Sequence, residues 1–149
     1  MFHESDSSQD LLAEWRWLLG GQAHLVGWAS SGDLFAIDRR GAVLRLDTGG
    51  GEFETVAASV GDFGNALRDP ARANKLLLLP VVRAFEQQQG ALRAGECLGF
   101  TVLPVFGGVY TVDNRFRLPI TEHAAVTGEL QRQLRDLPNG GTVPLKIVP

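Results

Sequence analysis

The sequence predicts an α+β fold, a single domain in which helices pack against an antiparallel β-sheet. Short runs rich in β-branched and aromatic residues alternate with glycine-containing turns from residue 23 to residue 58. Apolar residues recur at helical spacing before and after that region. The 149 residues, with 44% hydrophobic and 21% charged residues, fit one globular domain over 1–149.

The chain begins with an acidic, polar segment that leads into a helical pattern. Residues 1–7 are expected to be flexible, and residues 8–19 are expected to form a helix capped by Ser7 or Ser8. Trp17 lies opposite the apolar face of that helix. It is therefore either covered by another element or exposed as an aromatic anchor for a partner.

Four predicted strands follow, separated by turns that contain glycine. The triple glycine Gly49–Gly51 is interpreted as a hairpin tip, since no Lys-Ser or Lys-Thr follows it as in a phosphate-binding loop. A meander of sequential antiparallel strands is the simplest arrangement for such spacing. The predicted strands are 23–29, 33–38, 42–47 and 53–58.

The second half of the chain is predicted to be mainly helical. A short helix over 59–67 is followed by one over 75–90, which Pro80 either begins or kinks. A last helix is expected over 121–137, where Pro138-Asn139-Gly140 ends it. Residues 138–149 are expected to form an extended arm or an edge strand.

Two glycines interrupt what otherwise resembles one continuous strand. Gly107-Gly108 separate "GFTVLPVF" from "VYTVDNRF", and a glycine inside a strand marks a turn, a bulge or a close backbone approach. No phosphate-binding or nucleophilic residues lie beside the pair. We therefore predict a tight structural crossover between two strands.

The residues that could carry catalysis are scattered along the sequence. The three histidines show no metal-ligand spacing, and the single cysteine, Cys97, has no adjacent base. The prediction is a protein without catalytic residues, metal or cofactor. The alternatives are a small-molecule-binding or regulatory domain, or a weak hydrolase, with a pocket near Glu96, Cys97 and His123.

Charge is unevenly distributed along the chain. Residues 1–62 hold ten acidic and four basic residues, whereas residues 63–149 hold seven acidic and ten basic ones. An acidic surface disfavours nucleic acid and suits a basic protein partner. The basic residues of the second half, including Arg115 and Arg117, are interpreted as solvated. The candidate partner-binding residues are Trp17, Asp33, Asp38, Asp47, Glu52 and Glu54.

The N-terminal sequence lacks the basic start and apolar core of a secretory signal, and no apolar run could span a bilayer. The lone cysteine leaves no internal disulfide. The sequence therefore predicts a cytoplasmic protein without a membrane partner.

Several short motifs resemble the C-terminal domain of bacterial type VI secretion immunity proteins, a family often preceded by a GAD-like domain. The matching positions, in chain order, are Gly32-Asp33-Leu34-Phe35, Glu96-Cys97, Gly99-Phe100, Pro104, Gly107-Gly108 and His123. The first half is also similar to SUKH immunity proteins, in which "SVGDFGNAL" would be a short helix after the sheet. The resemblance implies a bacterial protein that binds a cognate toxin and covers its active site or substrate surface. The acidic first half of the chain would favour a basic toxin, such as a nuclease.

Overall fold

The computed structural model describes residues 1–5 and 10–137, and their arrangement is the predicted α+β fold. Seven strands form two antiparallel sheets, and five α-helices pack around them. The strands are β1 (Phe2–Glu4), β2 (His24–Ala29), β3 (Leu34–Ile37), β4 (Val43–Asp47), β5 (Glu52–Ala57), β6 (Glu96–Phe100) and β7 (Arg115–Pro119). The helices are α1 (Arg16–Leu19), α2 (Val60–Arg68), α3 (Pro70–Leu76), α4 (Leu79–Gln89) and α5 (Ile120–Arg135).

The larger sheet is a five-stranded meander in which each strand pairs with the next, from β1 to β5. The four strands predicted between residues 23 and 58 are present as β2 to β5. Residues 2–4 were expected to be flexible, but they form the edge strand β1, in which His3 lies opposite Trp28. The rings of these two residues stack at 3.8 Å, which favours this pairing.

The meander separates two apolar cores, because side chains alternate between its faces. On one face, Phe35 and Val43 pack against Phe63 of α2. On the other face, Leu34 and Leu46 pack with Trp15 and with residues of α5. Covering both faces of the sheet buries all of these side chains.

Helix boundaries in the middle of the chain differ from the predicted ones. Ser59 caps α2 as expected, accepting a hydrogen bond from the Asp62 amide at 3.1 Å. The predicted helix over 75–90 corresponds to the end of α3 and to α4, and of the two roles expected for Pro80 the structure shows that it begins the main helix. Leu78, between them, has a left-handed backbone with φ of 48°, and Pro80 lies in the first turn of α4.

The N-terminal helix is shorter than predicted. A 3-10 turn over Ala13–Trp15 leads directly into the four-residue α1, so the described part of 8–19 is not one continuous helix. Leu11, Leu12 and Trp15 of this segment are still buried in the core. The Trp15 indole donates a hydrogen bond to the Ala124 carbonyl at 3.0 Å. Ser7 and Ser8 lie outside the described residues, as does the predicted arm over 138–149.

The smaller sheet pairs β6 with β7, and α5 follows β7 directly, close to the predicted 121–137. The prediction of a strand on each side of Gly107-Gly108 is wrong, because no strand lies directly beside this pair. β6 ends at Phe100 and β7 begins at Arg115, and residues 101–114 form a loop with two 3-10 turns. We call this segment the β6–β7 loop. Gly107 ends its first turn with φ of 94°.

Candidate functional site

Asn114, a buried side chain at the end of the β6–β7 loop, makes three of the hydrogen bonds that hold the loop in one shape. The Asn114 amide donates to the carbonyls of Val102 at 2.7 Å and Val109 at 2.8 Å, and its oxygen accepts from the Val102 amide at 2.9 Å. The backbone of Gly108 lies so close to that of Val102 that a Cβ on residue 108 would be 1.9 Å from the Val102 carbonyl oxygen. The loop is therefore a compact unit that needs glycine at this position.

The turn between β4 and β5 supports the loop from the larger sheet. One oxygen of Asp47 accepts from the amides of Gly49 and Gly50, both at 3.1 Å, which shapes the turn. Its other oxygen accepts from the Tyr110 hydroxyl at 2.6 Å. The Val105 amide donates to the Gly49 carbonyl at 3.2 Å. The triple glycine is thus a hairpin tip, as predicted, and it contacts the loop.

Arg115, at the start of β7, connects the two sheets and the loop. Its guanidinium is buried and lies 3.8 Å from the centre of the Phe100 ring. Burial lowers the pKa of this side chain to about 10, so it keeps its charge near neutral pH. Its nitrogens donate to the backbone carbonyls of Ser31, Leu98, Gly99 and Tyr110.

Thr48, in the same turn, joins the larger sheet to α5. Its hydroxyl donates to the Gly32 carbonyl at 3.0 Å and lies 2.9 Å from Nε2 of His123. Because the hydroxyl has only one proton, it accepts from His123, which is then protonated on Nε2. The Thr48 carbonyl accepts from the Gln131 amide at 3.2 Å, and its own amide donates to the Asp33 carboxyl.

Asp33 and His123, which both form hydrogen bonds with Thr48, have strongly shifted pKa values. Burial, with repulsion from Asp47, raises the pKa of Asp33 to about 7. Burial, with the nearby Arg115 charge, lowers the pKa of His123 to about 3. His123 is therefore neutral at physiological pH and serves as a hydrogen-bond donor inside the protein.

Exposed apolar side chains are concentrated on the loop, strand and helix next to this buried polar network. Ten large apolar side chains are exposed among the described residues, and seven of them lie in the β6–β7 loop, on β7 or on α5. Phe106 and Phe116 are each 44% exposed. A cavity of about 500 Å³ opens between the loop, β7 and α5. We define the apolar surface as Val102, Val105, Phe106, Val109, Tyr110, Phe116 and Val126.

The three residues of the predicted pocket do not line one cavity. Glu96 accepts from the Arg93 amide at 2.8 Å and pairs with Arg117 at 3.5 Å. Cys97 is fully buried in the core, and burial raises the pKa of its thiol. His123 borders the apolar cavity, whereas Glu96 borders a different one. The arrangement provides no exposed nucleophile beside a base among these three.

The predicted acidic contacts have different environments. Asp33 is buried, and Asp47 and Asp38 accept backbone amides in turns. Glu52 and Glu54 are exposed on β5, and Glu54 pairs with Arg45 at 2.6 Å.

Trp17 is half-buried against α5. Its indole donates to the Gly128 carbonyl at 3.2 Å, and the Arg135 guanidinium lies 5.4 Å from the ring centre. Trp17 is therefore partly covered by α5, the first of its two expected roles. Its contact with a partner stays a prediction.

Two interpretations of basic residues need correction. Arg115, expected to be solvated, is buried, and Arg117 donates to carbonyls at the end of α4 and over the following residues. The sequence also gave no signal for the roles of Asn114 and Thr48. Thr48 bonds to Gly32, His123 and Gln131, and Asn114 bonds to Val102 and Val109, so no local repeat or motif marks either residue.

A comparison with protein-family models identifies the family of this chain. The family model described as "T6SS immunity protein Tdi1, C-terminal" matches residues 57–131. The chain belongs to this family. The matched range contains the Glu96-Cys97, Gly107-Gly108 and His123 motifs, so the resemblance to type VI secretion immunity proteins is confirmed. The likeness of the first half to SUKH proteins stays a prediction.

The fold is also similar to a solved structure, the crystal structure of Atu4351 from Agrobacterium tumefaciens, with a TM-score of 0.60 and 16% sequence identity. The similarity covers 78% of this chain and 62% of that one, so this chain spans less than two thirds of the other protein. At this identity the likeness concerns the fold alone. A search of curated proteins found no match.

Within residues 1–5 and 10–137, no helix combines the length and apolar character needed to cross a membrane. The same part of the chain contains no cluster of His, Cys, Asp or Glu suited to a metal ion.

Proposed function

We propose that this protein binds a cognate toxin through the apolar surface and neutralises it by covering its active site or substrate-binding surface. Membership of an immunity family implies a toxin partner. The observation that carries the proposal is the concentration of exposed apolar side chains on the β6–β7 loop, β7 and α5, where Val102, Phe106, Phe116 and Val126 line the same cavity. Monomeric proteins rarely expose contiguous apolar patches of this kind unless the patch binds something.

The loop is well suited to binding because its shape is fixed before a partner arrives. Asn114, Arg115 and Asp47 hold its backbone through the hydrogen bonds described above. A fixed loop loses little conformational entropy on association, so more of the contact energy contributes to affinity. Phe106 and Phe116 beside the cavity fit the usual character of binding hot spots, in which aromatic side chains dominate.

The charge beside the apolar surface favours a basic toxin, such as a nuclease. β5 begins at Glu52, directly after the turn that Val105 and Tyr110 contact. Exposed carboxylates at the rim of an interface accelerate encounter with a positively charged partner more than they add affinity. Association should therefore slow as salt concentration rises.

A second candidate is binding of a small apolar molecule in the cavity next to Phe106. Its volume of about 500 Å³ lies in the usual range for ligand pockets, and its lining is mainly apolar. This alternative places the ligand beside His123 rather than beside Glu96 and Cys97. Saturable binding of such a molecule, with no binding to the toxin, would favour it.

The test measures affinity for the cognate toxin, which is sought in the open reading frame beside the gene for this protein. Phe106→Ala should weaken binding by about 2 kcal/mol or more, roughly thirtyfold in Kd, because it removes a central aromatic contact. Val102→Ser should also weaken binding. Val60→Ser is its matched control, since Val60 is 51% exposed on α2 and Val102 is 48% exposed beside the cavity.

Each variant must first show wild-type unfolding, so that lost affinity reports the surface and not the fold. Protection of toxin-expressing cells should fall in the same order as affinity. If Phe106→Ala and Val102→Ser bind and protect as well as Val60→Ser does, the apolar surface is not the toxin-binding site.

A further inference from the structure

A second cavity, separate from the apolar surface, is lined by positive charge. It has a volume of about 350 Å³ and lies between the larger sheet and helices α2 and α3. Three cationic side chains border it, whereas Glu54 contributes the one carboxylate of its lining. The lining residues are Arg45, Glu54, Val56, Ala66, Arg72, Lys75 and Leu76.

Arg45 is fixed in the wall of this cavity by the sheet. It lies opposite Glu54 in the pairing of β4 with β5, and its Nη2 is 2.6 Å from the Glu54 carboxylate. Its Nη1 donates to the Leu76 carbonyl at the end of α3, at 3.4 Å. Its Nε is buried and has no acceptor among the described residues. The guanidinium is thus held in place with one donor unsatisfied.

Helix α3 adds two further cations to the same cavity. Asp69 caps this helix by accepting from the Ala71 amide at 3.1 Å, and Pro70 occupies its first turn. Arg72 and Lys75 follow three residues apart, which puts them on one face of the helix. Neither has a carboxylate of residues 1–5 or 10–137 within ion-pair distance.

The charges in this cavity are therefore unbalanced in a protein whose net charge is −3. Three cations and the Glu54 carboxylate leave the cavity lining with an excess of positive charge, which raises the local positive potential and attracts an anion. A phosphate group offers several strong acceptor oxygens and can bond to an arginine fork and a lysine at once. Val56, Ala66 and Leu76 form an apolar wall that the carbon part of a ligand could contact.

We propose that this cavity is a binding site for a phosphate group, either free or carried by a small organic phosphate. Arg72 and Lys75 contact the phosphate oxygens directly, and Arg45 supplies the fixed positive charge of the wall. The site shares no lining residue with the cavity beside Phe106, so it does not depend on the proposed toxin contact.

The experiment titrates the full-length protein with inorganic phosphate and, separately, with adenosine monophosphate, at constant ionic strength. Heat of binding gives the affinity, and amide chemical shifts locate the contact. Both probes should bind saturably and shift amides of α3. Tighter binding of adenosine monophosphate assigns an organic phosphate, and equal affinity assigns free phosphate as the ligand.

The Arg72→Ala/Lys75→Ala double variant should weaken binding by about tenfold for each cation removed. The matched control is Arg39→Ala/Arg40→Ala, which removes the same charge from two exposed residues of the β3–β4 turn. That control should keep the wild-type affinity. Absence of saturable binding, or an equal loss in the two double variants, would overturn the proposal.

Discussion

Asp33→Asn tests whether the buried polar network has the electrostatic character that the structure indicates. Asp33 and His123 both bond to Thr48, and their pKa values are shifted in opposite directions. The pKa of Asp33 rises from 3.8 to about 7, so its contribution to stability is complete below pH 3.8 and is lost as the pH rises through 7. His123 behaves in the opposite way.

The pKa of His123 falls from 6.5 to about 3, so its contribution is present above pH 6.5 and is lost as the pH falls toward 3. Between pH 3.8 and pH 6.5 the two groups therefore oppose each other. Each changes the free energy of unfolding by up to about 1.4 kcal/mol per pH unit. In the wild type these two contributions largely cancel.

Asp33→Asn removes one of the two contributions and keeps an oxygen that accepts the Thr48 amide. The variant's free energy of unfolding, relative to wild type, should increase with pH across this window by about 1.4 kcal/mol per unit. Urea unfolding at a series of pH values measures this difference. Asp113→Asn is the control, since it removes a charge from an exposed position and should leave the wild-type profile unchanged.

His123→Gln should reveal the opposite slope, with stability falling relative to wild type as the pH increases. The two variants therefore check each other even if both lower the overall stability. If the difference between Asp33→Asn and wild type is constant from pH 3.8 to pH 6.5, Asp33 does not have the raised pKa that the structure assigns to it.

The remaining predictions concern two further features. Gly108→Ala should cost more than about 2 kcal/mol, because its Cβ would overlap the Val102 oxygen, whereas Gly107→Ala, with open space around it, should cost about 1 kcal/mol for its positive φ. Urea unfolding compares the two, and an equal or reversed order contradicts the loop geometry. The Cys97 thiol should react with a thiol reagent at least about a thousandfold more slowly than in the unfolded chain, since it is fully buried. Rapid labelling of the native protein would contradict that burial.

The elements that could be predicted from the sequence are those determined by local patterns. Strands β2 to β5 follow from alternating apolar residues between glycine turns, and α2 follows from its cap at Ser59. The last helix was predicted because its apolar face extends over several turns. In each of these, the residues that define the element are neighbours in sequence, so their periodicity is enough.

The elements that were mispredicted depend on distant contacts. Residues 109–114 have strand composition, but Asn114 bonds to Val102 and Val109 and closes them into a loop. β1 exists because Phe2 packs against Phe35 and Phe63, which lie far along the chain. Arg115 resembles a solvated basic residue until the sheets meet around it. Tertiary contacts override local propensity at each of these positions.

The buried polar groups around Arg115 fix the position of the β6–β7 loop, which the proposed binding function requires. An arginine that donates to several buried carbonyls is costly to desolvate, and a hydrophobic core could stabilise the fold without it. What Arg115 supplies is a fixed position for the β6–β7 loop, because it reaches both sheets and Tyr110. A rigid loop is what Phe106 needs if it is to contact a toxin without losing entropy. A folded Arg115→Met variant should therefore bind the toxin more weakly than wild type, because the β6–β7 loop loses its fixed position. If this variant stays folded and binds the toxin as tightly as wild type, the polar network does not contribute to recognition.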